Sequence, residues 1–189
     1  MPDWFDQIFS LRIETMSLCV PQIVLGEVHT SSKGQKSIPI SYAGNQGDRV
    51  FIYPGKQDVP FSPAAYQQPD ANRLNLCFSP PTENFRAIRA QLTERLKEIF
   101  DDGVTELTYH SPIKQTRNGY ENIRTKINVG ALRIWNGRKQ LAPPPEDWSA
   151  VSVSPRIWVK QIYIMNKETG LILETPDVCI EPKQISCPF

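Results

Sequence analysis

The stretch NGYENIRTKINVGALRIWNG, residues 118–137, decides the fold of this chain. It begins and ends with Asn-Gly, which between apolar runs is a strong hairpin signal, because a type I′ turn needs a positive φ at both central residues. Between the two pairs, apolar and polar residues alternate with the two-residue period of a half-buried strand. We therefore predict strands over residues 120–129 and 131–135, joined at Gly130.

The same pattern extends on both sides of this stretch. Further strands are expected over residues 18–28, 36–43, 49–53, 73–79, 156–165 and 171–180. The last two form a hairpin around residues 166–170, and the Pro-rich segment 141–148 precedes them as a stiff loop. The fold class is therefore mainly β, and an antiparallel Greek-key barrel is the simplest assembly of these strands.

One segment has helical periodicity instead. Apolar residues recur at steps of three and four from Phe85 to Phe100, which places them on one stripe of a helix. Thr82 can cap the start of this helix, and Gly103 fits just past its end. We expect one long helix inserted among the strands, with its mixed Arg and Glu charges in solvent.

The totals fit one ordinary domain over residues 1–189, with flexible termini at 1–15 and 181–189. A chain of 189 residues can bury about two thirds of its unfolded surface, so it needs no disulfide or metal to fold. The four cysteines form no CxxC pair and no ligand spacing with histidine, which argues against zinc. The start has no basic segment followed by an apolar one, so we expect an intracellular protein. The sequence implies no cofactor.

Catalytic signatures are missing from the sequence. The two histidines, His29 and His110, belong to no HExxH set, and neither a GxxxxGK[ST] nor a GxGxxG loop occurs. The carboxylate pair Asp101-Asp102 lies just before Gly103, where surface charge is the simpler interpretation. We expect no catalytic residues and a protein that is not an enzyme.

A net charge of +1 conceals a basic block. Residues 112–170 carry 10 basic and 4 acidic side chains, a net charge of +6, whereas residues 1–111 have a net charge of −3. A local positive surface of this kind is what binding to a polyanion requires.

Three neighbouring strands pair aromatic with basic residues on their more polar face. A protein that holds single-stranded nucleic acid needs cations along the phosphates and aromatic faces on which bases stack. Strand alternation groups the candidates as Tyr120, Arg124 and Lys126, then Arg133 and Trp135, then Arg156, Trp158 and Lys160. Lys114, Arg117, Arg138 and Lys139 belong to the same block. The alternative to base stacking is that each tryptophan is a buried core residue.

Short segments spread over residues 36–181 carry a resemblance to a known family. They are KSIPISY at 36–42, Pro60-Phe61, SPIK at 111–114, Lys126-Ile127 and Ile157-Trp158. In these segments the chain resembles the OB-fold single-stranded DNA-binding proteins of large double-stranded DNA viruses and phages.

The resemblance implies a viral protein that binds and protects single strands in DNA replication, recombination or repair, in the host nucleus or cytoplasm. Its matching positions are Lys36, Tyr42, Phe61, Lys114, Lys126 and Trp158. Replicative single-strand binders often end in an acidic tail with a terminal aromatic residue that recruits other replication proteins. Here the Pro188-Phe189 tip is present, but few acidic residues precede it.

The sequence therefore predicts an OB-like β-barrel with one long helix that binds single-stranded DNA by base stacking and phosphate contacts. Two alternatives stay open: a single-stranded RNA binder, and a structural or protein-interaction domain such as a virion or scaffold component. Candidate partners besides nucleic acid are replication proteins at the Pro188-Phe189 tip and further copies of the chain; no membrane contact is expected.

Overall fold

The computed structural model of the chain describes residues 23–42, 48–63, 72–78, 86, 90 and 108–183. Within these ranges twelve strands form one sheet that does not close on itself. Their bounds are β1 Ile23–Leu25, β2 His29–Thr30, β3 Lys36–Tyr42, β4 Val50–Ile52, β5 Gln57–Asp58, β6 Arg73–Phe78, β7 Thr108–His110, β8 Ile113–Gln115, β9 Glu121–Asn128, β10 Arg133–Asn136, β11 Val151–Met165 and β12 Glu168–Pro182.

A long hairpin of β11 and β12 forms the spine of the sheet. The two strands have 15 residues each and pair antiparallel from Val151 opposite Pro182 to Met165 opposite Glu168. They are joined by a two-residue turn in which Asn166 has a φ of 57°. This hairpin confirms the one predicted from sequence and extends it at both ends.

Six of the other described strands pair directly with this hairpin, three along each of its two free sides. On the free side of β11, the antiparallel partners β5, β4 and β3 follow one another along the strand. On the free side of β12, the parallel partners β7, β9 and β10 do the same. β6 and β8 join through β9, and β1 and β2 join through β3.

Two irregularities bend the spine. The register shifts between Arg156 and Trp158 and again between Val159 and Gln161. At the first shift, β12 contributes one more residue than β11, and the extra segment contains Pro176. A bulge is where a strand tolerates proline, because no ladder hydrogen bond needs the missing N–H there, and bulges bend and twist the strand.

Strand alternation sets the core. In β9, Ile123, Thr125 and Ile127 are buried, whereas the residues between them are exposed. In β6, Leu76 and Phe78 are fully buried on the same side, as the alternation predicted. The buried hydroxyls of Thr125 and Thr175 form a hydrogen bond with each other, with 2.7 Å between the two oxygens.

The mainly β class is confirmed, but the described strands do not form the predicted antiparallel Greek-key barrel. Their sheet is open, and β12 pairs parallel with three strands. Alternation shows which face of a strand is buried, but it is the same for either strand direction, so it could not predict these parallel pairs.

The predicted long helix is not shown. Its segment lies outside the described residues except for Arg86 and Ala90. Among the described residues, the one helical element with defined bounds is a 3₁₀ turn at Trp148–Ala150. The residues before 23, including the start of the strand predicted over 18–28, and those after 183 also lie outside the description, while β12 itself continues to Pro182.

Both Asn-Gly pairs lie at hairpin turns, but the type I′ prediction was wrong. Each turn is a three-residue loop closed by a backbone hydrogen bond, at 2.8 Å in the first hairpin and 2.9 Å in the second. The positive φ belongs to Gly119 in the first loop (80°) and to Lys139 in the second (61°). Asn136 instead fixes its turn by accepting hydrogen bonds from the two backbone N–H groups of Arg138 and Gln140.

At Gly170 of β12, the spine packs closely against β7. A Cβ atom at this position would lie 2.8 Å from Cε1 of Tyr163 and 3.0 Å from the backbone oxygen of His110. The Tyr163 ring can turn away, but the His110 backbone is held by the parallel pairing of β7 with β12. Only glycine therefore allows β7, β11 and β12 to pack this tightly at position 170.

We expect Gly170→Ala to lower the free energy of unfolding by about 1–3 kcal/mol, the usual cost of overpacking. Urea denaturation followed by far-UV circular dichroism measures it. Gly130→Ala is the matched control, because its added Cβ would meet no atom closer than 3.9 Å. Equal stabilities of the two variants would contradict the packing described for Gly170.

Candidate nucleic-acid interface

Four of the cations predicted from sequence line one groove across the face of the sheet. This groove, here called the cationic groove, has a volume of about 530 Å³. The four are Lys36 of β3, Lys114 of β8, and Arg124 and Lys126 of β9. No carboxylate is among the described residues that line it, and none of the four cations has an ion-pair partner in the described part of the chain.

The sheet itself brings these cations together. Arg124 and Lys126 occupy successive outward positions of β9, about 6.6–6.8 Å apart along the strand. Lys114 of β8 is in register with Asn122, the preceding outward position of β9. Lys36 approaches from the other side of the spine, where it is in register with Ile164 of β11. The arrangement can neutralise several negative charges of one extended polyanion.

The groove also has an aromatic and two amide side chains. Tyr163 of β11 is half-buried in its lining, and burial, with the nearby charge of Glu168, raises the pKa of its hydroxyl above the usual value. The hydroxyl therefore stays protonated at neutral pH and can donate a hydrogen bond. Asn75 and Gln161 add amide groups, which can donate to and accept from bases.

A second, smaller groove surrounds Trp158. This Trp158 groove has a volume of about 260 Å³ and shares Lys126 with the cationic groove. The guanidinium carbon of Arg49 lies 4.4 Å from the centroid of the Trp158 ring, and Nζ of Lys160 lies 5.1 Å from it. Both are cation–π distances, so Trp158 holds two cations against its ring.

Arg133, Trp135 and Arg156 contact a buried carboxylate. Asp177 of β12 has a fully buried side chain; its Oδ1 lies 2.6 Å from Nε of Arg133, and its Oδ2 lies 2.6 Å from a terminal nitrogen of Arg156. Trp135 donates its indole N–H to the same carboxylate at 3.4 Å. Arg156 also lies 4.2 Å over the ring of Phe51. Through these contacts, the guanidinium groups of Arg133 and Arg156 connect β10 and β11 to β12.

The remaining predicted residues lie outside both grooves. Tyr42, Phe61 and Tyr120 have their side chains in solvent, with exposed fractions of 42%, 64% and 70%. Arg117 lies in the turn between β8 and β9, three residues before Tyr120, and Arg138 and Lys139 lie in the turn after β10. An exposed aromatic residue can stack on a base without any rearrangement, because its ring face is already accessible.

Sequence reasoning did not select several residues that line the grooves, among them Arg49, Arg73, Asn75 and Tyr163. For two of them a signal was present: Arg73 and Asn75 occupy the polar side of an alternating strand. That signal becomes specific only when β6 is known to pair with β9, which places Asn75 opposite Lys126.

Other kinds of site find little support in the described residues. No group of three or more His, Cys, Asp or Glu side chains among them could hold a metal ion. None of their helices is both long and apolar enough to cross a membrane. Burial raises the pKa of the Cys179 thiol to about 11, so it is protonated at neutral pH and a poor nucleophile.

Comparison with known proteins gives matches by structure alone. No protein-family model and no curated protein sequence matches the chain. The single-stranded DNA-binding protein from bacteriophage Enc34, in complex with single-stranded DNA, matches with a TM-score of 0.46 and 11% identity, over 90% of this chain and 97% of that one. A C-terminal truncation of the Enc34 protein matches with a TM-score of 0.48 and 11% identity, over 89% of this chain and 98% of that one.

A third solved structure is gp2.5, a single-stranded DNA-binding protein encoded by bacteriophage T7. It matches with a TM-score of 0.48 and 10% identity, over 74% of this chain and 90% of that one. These structures are phage single-stranded DNA-binding proteins, the class that the sequence resemblance named.

We expect Asp177→Ala to lower the free energy of unfolding by about 3–5 kcal/mol, because it leaves the largely buried Arg156 without its carboxylate. Asp58→Ala is the control: its side chain is 62% exposed and pairs with Lys183 at 3.2 Å. An exposed pair of this kind contributes about 0–1 kcal/mol. Urea denaturation of both variants measures the difference, and a loss below 1 kcal/mol at Asp177 would show that its ion pairs do not stabilise the sheet.

Proposed function

We propose that this chain binds single-stranded DNA across the face of the sheet, through the cationic groove. One observation carries the proposal: four cations from three strands line the groove, without a carboxylate in its described lining and without ion-pair partners among the described residues. Elsewhere in the described sheet, cations such as Lys56, Lys160 and Arg156 are paired with carboxylates. Unpaired cations in a row favour a polyanionic ligand over a role in folding.

The aromatic residues favour a single strand over a duplex. Tyr163 lies in the groove, Trp158 lies beside it, and Tyr120 is exposed where β9 begins. Ring faces bind bases by stacking, which requires bases that are not already stacked in a duplex. Cations alone would bind both forms, so stacking supplies the preference.

The same proposal includes an OB-like organisation and a role in coating strands during replication, recombination or repair. An OB-fold is a partly open five-stranded barrel that binds oligonucleotides on a strand face. The bent strand order β3-β11-β12-β9-β6, with the cationic groove across it, supports this assignment. In this role the chain is a binding protein that acts at the replication site inside the cell, without catalysis.

Fluorescence anisotropy with a labelled strand of about 30 nucleotides tests the function; this length exceeds the site of about 4–16 nucleotides typical of one OB fold. We expect tighter binding to the single strand than to its duplex. The slope of log K against log salt should be about −3, since each of four phosphate contacts contributes about −0.7. An RNA copy of the strand decides between DNA and RNA. Equal affinity for duplex and single strand would contradict the proposal.

The double variant Arg124→Gln/Lys126→Gln tests the site. We expect it to flatten the salt slope by about 1.4, because two phosphate contacts are lost, and to weaken binding at low salt by at least tenfold. Lys56→Gln/Lys183→Gln is the matched control: it removes the same charge from cations that pair with Glu181 and Asp58 and do not line the groove. If both double variants weaken binding equally, the affinity comes from net charge and not from the cationic groove.

A further inference from the structure

One row of side chains crosses the sheet from the Trp158 groove to the cationic groove. Trp158 of β11 is in register with Glu174 of β12, and Glu174 is in register with Lys126 of β9. Lys126 is in turn opposite Asn75 of β6. Since residues in register lie about 4.5–5.5 Å apart, the two grooves are neighbours along this row.

Glu174 at the centre of this row is the one carboxylate in the described lining of either groove. Its Oε1 accepts a hydrogen bond from Lys160 at 3.0 Å and forms an ion pair with Arg73. Its side chain is 20% exposed, whereas those of Lys160 and Arg73 are 33% and 56% exposed. A ligand in solvent can therefore reach both cations without unfolding any strand.

Glu174 differs in this respect from Asp177, three residues along the same strand. Asp177 is fully buried, and its partner Arg156 has only 14% of its side chain exposed. A phosphate cannot replace Asp177 without opening the sheet. It can replace Glu174, because the two partners of Glu174 extend into the groove with accessible charged ends.

We propose that the Trp158 groove is a second nucleotide subsite, continuous with the cationic groove through Lys126, and that Glu174 occupies its cations until a DNA phosphate displaces it. This inference rests on the proposed function. In the free protein, Glu174 neutralises Arg73 and Lys160. In the complex, a phosphate takes the place of the carboxylate, and the adjoining base lies near the Trp158 ring. The exchange lowers affinity at this subsite, because one anion must leave before another binds.

Glu174→Gln tests this exchange, since it keeps the shape of the side chain and removes the competing charge. We expect it to bind single-stranded DNA about fivefold to tenfold more tightly at low salt, the effect of one charge at contact distance in a solvated groove. The gain should shrink as salt rises. Glu181→Gln is the matched control: Glu181 pairs with Lys56 and lines neither groove. The affinity of Glu181→Gln for single-stranded DNA should change by less than that of Glu174→Gln.

Strand length and further substitutions identify the subsite. With oligo-dT of about 4 and about 16 nucleotides, the limits of an OB-type site, the gain should be larger for the longer strand, which can occupy both grooves. Adding Arg73→Gln and Lys160→Gln to Glu174→Gln should abolish most of the gain, because both released cations are then missing. Fluorescence anisotropy measures all of these affinities.

The possible results separate the two proposals. If the unchanged chain does not bind oligo-dT, the proposed function and this inference both fail. If the unchanged chain binds, but Glu174→Gln and Glu181→Gln behave alike, the function stands and the exchange at Glu174 is wrong. A gain at Glu174 that persists when both Arg73 and Lys160 are replaced by Gln would also overturn the exchange.

Discussion

The pairing of β11 with β12 is the constraint on which the rest of the sheet depends. Among the described strands, six lie directly against this hairpin, three along each free side, and the remaining four join through them. The register of the hairpin therefore sets which side chains of distant segments meet. Because a slip of one residue would turn every side chain of a strand to the opposite face, the same register also separates the core from the candidate binding face.

Two carboxylates on β12, Asp177 and Glu174, form ion pairs with different cations. We assign the ion pairs of Asp177 to folding and the cations of Glu174 to the proposed binding surface. Asp177 is fully buried and holds Arg133 and Arg156, which connects β10 and β11 to β12. Glu174 is partly exposed and holds Arg73 and Lys160 on the face of the sheet. In our account, burial decides the difference: the first set of ion pairs stabilises the fold, and the second can exchange with phosphate. The cationic groove, with no carboxylate in its described lining, lies next to the second set.

The sequence predicts what depends on local pattern and misses what depends on pairing. Alternation in β9 placed Arg124 and Lys126 outward and Ile123 inward, and the structure has them so. It placed Arg133 and Trp135 on one face correctly. It could not show that this face contains the buried Asp177, because Arg133 and Asp177 are 44 residues apart in the chain and their strands run parallel. For the same reason Glu174 was not recognised. The turn prediction erred because Asn136 stabilises its loop with its side chain and leaves the positive φ to Lys139.

Photo-cross-linking can show directly whether a single strand lies across the cationic groove. Oligo-dT carrying a photoreactive thymine analogue is irradiated with the protein, and the cross-linked residues are identified by mass spectrometry. We expect cross-links at Tyr163 and on the segment 120–128, where the groove has its aromatic and basic side chains. Cross-links confined to Phe61 and the 137–139 turn, with none in β9 or β11, would contradict this expectation.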